Sequence, residues 1–181
     1  RLGSDDWLMP RKLEFDAMAF AQGYKALYGN FVVHRKGVFG EMGNYPVLSQ
    51  QIKEGFLKGG FYASWANVAV ASSVLRDVKN KFGTYCDLRL RNMEDRLVNY
   101  RISKLVDWVW RGMLKDKSIM INPPDEMIQK IAKGEIKLIP DGIWNANEQD
   151  GSSANAEVYT RDSLLTDQLI IEDERNWAHL K

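Results

Sequence analysis

The chain has one cysteine, Cys86, and two histidines, His34 and His179. A lone cysteine excludes an intramolecular disulfide and any four-cysteine zinc site, and it suits a reducing compartment. The histidines are far apart and neither sits in a His-x-x-x-His or equivalent ligand spacing, so no metal and no cofactor is expected. Long apolar runs are also missing. The longest, such as 61–71, are too short and too often interrupted to cross a hydrocarbon core of about 30 Å, so the chain is read as soluble, with no membrane partner. It starts at Arg1 without a charged-then-apolar leader, so no targeting peptide is read and upstream residues are expected to be missing.

What is present is ordinary globular material. Over 181 residues, 45% are hydrophobic and 27% charged, which fits one domain with tails. Apolar residues at helical spacing predict a first helix over 11–28, ended by Gly29 and Asn30. Valines at 32 and 33, followed by glycines 37, 40 and 43, predict a strand, hairpin or loop insertion over 31–46, and Val47 to Leu57 a short helix. Phe61, Trp65, Val68, Ser72, Leu75 and Phe82 then share one helical face that stops at Gly83. Asn92 is placed to cap a helix running to Met113, whose apolar stripe is wide enough to imply burial on more than one side. Asn122, Pro123 and Gly134 punctuate another helix, with 136–139 leaving it extended. The expected fold is therefore mainly α: a compact helical bundle over 1–140, with the 31–46 insertion. Residues 141–181 would form a linker, polar over 145–156, and an extended C-terminal docking arm that is a short helix or strand.

Charge is distributed unevenly although the net is +1. From Asp141 onward nine acidic residues face three basic ones, leaving the rest of the chain basic. Arg89, Arg91, Arg96, Arg101, Lys104 and Arg111 crowd one predicted helix among aromatic residues, as a polyanion site or an intersubunit surface would require. Six tryptophans exceed the need of one small core. Trp65 and Trp108 are expected inside. Trp7, Trp144 and Trp177 fall in terminal or linker-like segments, where aromatic anchors point to protein interfaces; Trp144 and Trp177, with Leu164, Leu165, Leu169 and Ile170, are the candidate interface residues of the C-terminal part. The glycines at 37, 40 and 43 lack the strand, Lys-Ser/Thr and helix of a phosphate loop. Cys86 has no histidine or cysteine beside it, and no constellation of nucleophile, base and orienting group is legible, so no enzyme is expected.

Three stretches, KNKFGTYCDL, RNMEDRLVNYRISKLVDWVWRGML and NPPDEMIQKIAKGEIKLIP, follow one another in an order that resembles the small helical head-to-tail connector (adaptor) proteins of tailed bacteriophages. The resemblance covers under half of the chain, about residues 61–140; residues 1–60 are longer than the short lead segment it implies, and their glycine-rich hairpin has no counterpart in it. It implies a structural virion protein without catalysis: a homo-oligomeric ring, with a dodecamer as the expected size, seated between portal and tail proteins. DNA would pass through its centre without sequence-specific contact. It also implies a virion location, at the head-to-tail junction, after assembly in the host cytoplasm. The competing expectation is a helical nucleic-acid-binding protein using the Arg-rich helix 89–117.

Overall fold

The computed structural model describes residues 7–35, 37–43, 54–55, 57, 67–90, 94–116, 118–145 and 156–179. The expected short helix at 47–57 and the polar linker fall largely outside them, as do Trp65, Arg91 and Asn92. The chain divides into two compact units that interleave in sequence: 1–49, 64–71 and 107–147 form the first, and 50–63, 72–106 and 148–181 the second.

The first unit overturns the expectation of a mainly helical bundle, because it is built on two mixed sheets and the fold is α/β rather than all-α. Strands β1 (Trp7–Leu8), β9 (Gly142–Asn145), β3 (Phe31–Arg35) and β4 (Val38–Gly43) form one sheet in that order. In the other, β5 (Val68–Val70), β2 (Ala26–Tyr28), β6 (Trp108–Leu114) and β7 (Ile119–Ile121) lie in order, and β8 (Leu138–Ile139) also pairs with β6. Helix α1 (Lys12–Ala21) packs through Ala19 against Leu27 and Val109, which pair across the parallel β2 and β6.

The physical reason for the correction lies in β6. Residues 108–113 are all buried, and a strand covered on both faces reads as one apolar run whose members also fit helical spacing. The wide stripe expected of a helix to Met113 therefore belongs to a helix that ends at Leu105 and a central strand that begins at Trp108. The same ambiguity acts at both other places. The predicted 11–28 helix stops at Ala21, and residues 26–28 become β2; Val68 to Val70, expected on a helix, pair antiparallel with β2.

Other punctuation is kept. Residues 31–43 form a β3–β4 hairpin with a register shift between Val32 and His34. After α2 (Ser72–Phe82) and α3 (Glu94–Leu105) of the second unit, helix α4 spans Asp125–Ala132 and ends with Gly134 at φ +74°, a conformation that suits glycine. Asn122 does not cap it: that residue follows β7, and Pro124 stands at the cap position. The extended exit at 136–139 contains β8.

The second unit is helical: α2 (Ser72–Phe82), α3 (Glu94–Leu105) and α5 (Ala156–His179). Its interior holds Val74 and Val78 from α2, Leu97, Val98, Tyr100 and Ile102 from α3, and Leu169 and Ile170 from α5. The C-terminal arm is thus a 24-residue helix with a docking face inside its own unit, rather than an extended segment.

Candidate functional site

The first unit carries four charged side chains almost wholly withdrawn from water. Lys12 and Asp16 are one turn apart on α1 and face each other at 2.5 Å. Arg111, from the middle of β6, donates through Nη1 and Nη2 to Asp141 at 3.1 and 2.6 Å, and its Nη2 lies 2.7 Å from Asp16 Oδ1. Two cations against two carboxylates leave the set neutral, the condition under which buried charge is tolerated.

The cluster sits where the chain passes twice from one sheet to the other. Gly29 and Asn30 link β2 to β3, and Pro140 and Asp141 link β8 to β9. The Asp141 amide donates to the Asn30 carbonyl at 2.7 Å, and its carbonyl accepts from Met9. A Cβ on Gly29 would collide with the Asp141 carboxylate, so the close approach requires glycine there. Asn67 seals the other side, its Nδ2 donating to the Gly29 carbonyl at 2.8 Å.

Burial pushes the Asp141 carboxyl up to about 7, against the opposing pull of Arg111 and Lys12. A raised carboxylate beside cations is a pattern found at active sites. Here all four side chains are 5% exposed or less, and their geometry fixes a chain crossing. Among the described residues no group of three His, Cys, Asp or Glu is arranged to hold a metal.

The basic residues singled out in the sequence, Arg91 aside because it lies outside the described residues, have internal partners. Arg96 reaches Asp167 at 2.7 Å and the Leu57 carbonyl at 3.2 Å. Arg101 binds Asp173 at 2.7 Å through Nε, and its Nη1 donates to the carbonyls of Thr84 and Tyr85. Lys104 pairs with Glu174 at 2.8 Å. The phenol of Tyr100, raised by burial and by its bond to Glu174, stays protonated and donates to that same carboxylate at 2.5 Å. Burial likewise raises the Asp173 carboxyl, while Arg101 opposes the shift. Arg89, the exposed member, forks onto Asp87 in the loop before α3, and Arg111 belongs to the buried cluster. Among the described residues, Arg89, Arg96, Arg101, Lys104 and Arg111 are therefore split between the two units and engaged by carboxylates rather than gathered on one open face.

Arg96, Arg101 and Lys104 ascend α3 as Asp167, Asp173 and Glu174 ascend α5, so the two helices run in the same direction. Trp177 closes the seam, stacked on Phe82 with ring centroids 5.7 Å apart and 10° between planes, and the ammonium groups of Lys81 and Lys104 both lie 5.6 Å from its ring. Of the other proposed arm contacts, Leu169 and Ile170 are buried, Leu165 is half-buried and Leu164 is exposed. Trp144 stands in β9 opposite Val33.

One surface was not singled out from the sequence. On the four-stranded sheet, Trp7 lies 6.2 Å from His34, and His34 lies 4.8 Å from Phe39, giving a row of rings across β1, β3 and β4. Pairing puts Ile143 and Val32 on the same face, and both are only partly buried. Trp7 is 50% exposed and Phe39 58%, with Val38 at the hairpin tip 68% exposed. The alternation of β3, with Phe31 buried and His34 toward the rings, was the available signal. Trp7 and Phe39 are 32 positions apart in the sequence and meet only through the sheet.

No family model, no curated protein and no solved structure matches the chain.

Proposed function

We propose that the protein is a non-catalytic structural subunit that works by docking to other protein chains. The observation that carries this reading is the solvent-facing sheet surface of Trp7, Val32, His34, Phe39 and Ile143, apolar apart from one imidazole. Exposed aromatic area of this kind is characteristic of interfaces, where large rings supply most of the contact energy. The engagement of Arg96, Arg101, Lys104 and Arg111 by carboxylates adds support, because it argues against a basic surface that reads phosphates.

Among settings for such a subunit, the head-to-tail junction of a tailed bacteriophage is the one the sequence gives a reason to name. In that role the chain forms a ring between portal and tail proteins, with DNA passing through. The reading keeps the order of the three resembling stretches and gives up the helical form of the middle one beyond Leu105.

The mass of the native particle tests it. The full chain is expected to form a closed oligomer by light scattering and native mass spectrometry, alone or on addition of a portal ring, and Trp7→Ala with Phe39→Ala to lower assembly at least tenfold. A monomer at every concentration that also ignores portal rings, yet binds DNA in a salt-sensitive way, would overturn it in favour of the nucleic-acid reading.

A further inference from the structure

We propose that helix α5 is an exchangeable element, which in the assembled protein docks on helix α3 of a second copy of this chain through the same ion pairs it makes within its own unit. The inference rests on the subunit reading above and gives it a mechanism of assembly.

Three observations carry it. First, the ion pairs described between α5 and the rest of its unit lie on one neighbouring surface. Asp167, Asp173 and Glu174 meet Arg96, Arg101 and Lys104 of α3, and Trp177 lies on Phe82 at the end of α2. A helix held on one side by a contiguous set of contacts can be supplied by any copy that brings the same face.

Second, the two faces are complementary to each other and not to themselves. The docking face of α5 is acidic and that of α3 basic, so two copies cannot meet α5 to α5 without placing carboxylates together. A contact between unlike surfaces is heterologous, and repetition of it propagates in one direction until it closes as a ring. The charge division of the whole chain, nine acids against three bases from Asp141 onward, favours the same head-to-tail order.

Third, the covalent connection permits it. Between Asn145 and Ala156 lie ANEQDGSSAN, ten residues without proline or a large apolar side chain. Fully extended, such a segment bridges at most roughly 35 Å. The outer members of the seam are wet, with Asp167 49% and Glu174 41% exposed. The Lys104–Glu174 pair, 21% and 41% exposed, therefore breaks and re-forms in water at small cost. Exchange conserves every contact and changes only which chain provides it.

The Lys104–Glu174 pair supplies the test, because its 2.8 Å separation suits a carbodiimide, which joins ammonium and carboxylate as an amide with loss of water. Full-length chains carrying nitrogen-14 and nitrogen-15 are mixed in equal amounts, unfolded, refolded together and cross-linked. The linked 104–174 peptide is then read by mass spectrometry from the oligomer fraction. With exchange, about half of those peptides combine the two isotopes, as random pairing of copies requires. If an oligomer forms and every linked peptide carries a single isotope, the exchange is overturned and the subunit reading stands. If no oligomer forms at any concentration or with portal rings present, both fail, and the mass measurement distinguishes the two results. Glu174→Gln, which cannot be linked at that site, is expected to abolish the mixed-isotope peptide; its survival in that variant would overturn the assignment to this pair.

Discussion

The Lys12–Asp16–Arg111–Asp141 cluster and the α3–α5 seam use the same chemistry, guanidinium or ammonium against carboxylate at 2.5 to 2.8 Å, in different surroundings. In the cluster both members of every pair are withdrawn from water; in the seam, Arg101 is buried while Glu174 and Asp167 keep a wet side. The difference sets what each arrangement is for. A fully desolvated set contributes little net stability but makes any other partner very costly, so it specifies one chain path. A half-solvated rung such as Lys104–Glu174 costs little to open, so it can be made and remade.

Arg111→Met offers the most forceful way to break the contrast. It leaves Asp16 and Asp141 facing Lys12 alone, and urea unfolding followed by tryptophan fluorescence is expected to show a loss of about 3–5 kcal/mol. A loss below about 1 kcal/mol would mean that water reaches the cluster as it reaches the seam.

Acidity sharpens the same point with a smaller effect. The Asp141 carboxyl is raised to about 7 by burial, whereas the unfolded chain titrates near 3.9. The folded state therefore binds the extra proton between those values. The stability so gained is fully present below the unfolded pKa and is lost as pH rises through about 7. The midpoint of urea unfolding is expected to fall between pH 6 and pH 8, and Asp141→Asn to flatten that slope. An unchanged slope in the variant would place the titrating group elsewhere.

Lys104→Ala is the mildest probe. Its ammonium pairs with a carboxylate that keeps 41% exposure, and a cost of about 0.2–1 kcal/mol, shrinking as salt is added, is expected from the same unfolding measurement. A cost equal to that of Arg111→Met would dissolve the distinction.

How much of this was legible in the sequence differs by element. Gly134 and the 31–43 hairpin were readable because turn chemistry is local: a left-handed glycine and a valine-rich pair of strands need no distant partner. Strand β6 was not, because Val109 and Met113 satisfy helical spacing and double burial equally well; the partners that decide, Leu27 and Ile139, are far away in the chain. The C-terminal helix was half legible. Asp162, Thr166, Ile170, Asp173 and Trp177 recur at steps of three or four, but most of that face is polar, so a search for apolar periodicity passes over it. Arg111 was noticed for its charge and placed on a helix as a polyanion or intersubunit contact, whereas strand pairing buries it against Asp141 thirty residues on.

The crossing at Gly29–Asn30 and Asp141 also orders events in time. Asn30 accepts from the Asp141 amide, and Met9 donates to the Asp141 carbonyl, so the N-terminal strands wait for a partner more than a hundred residues downstream. During synthesis, 72–105 leaves the ribosome before that partner does, and its contacts between α2 and α3 are local and quick to form. The inserted helices can therefore collapse while the sheets around their insertion point are still open, and the first unit completes only when residues 138–145 arrive to fill the vacant edges.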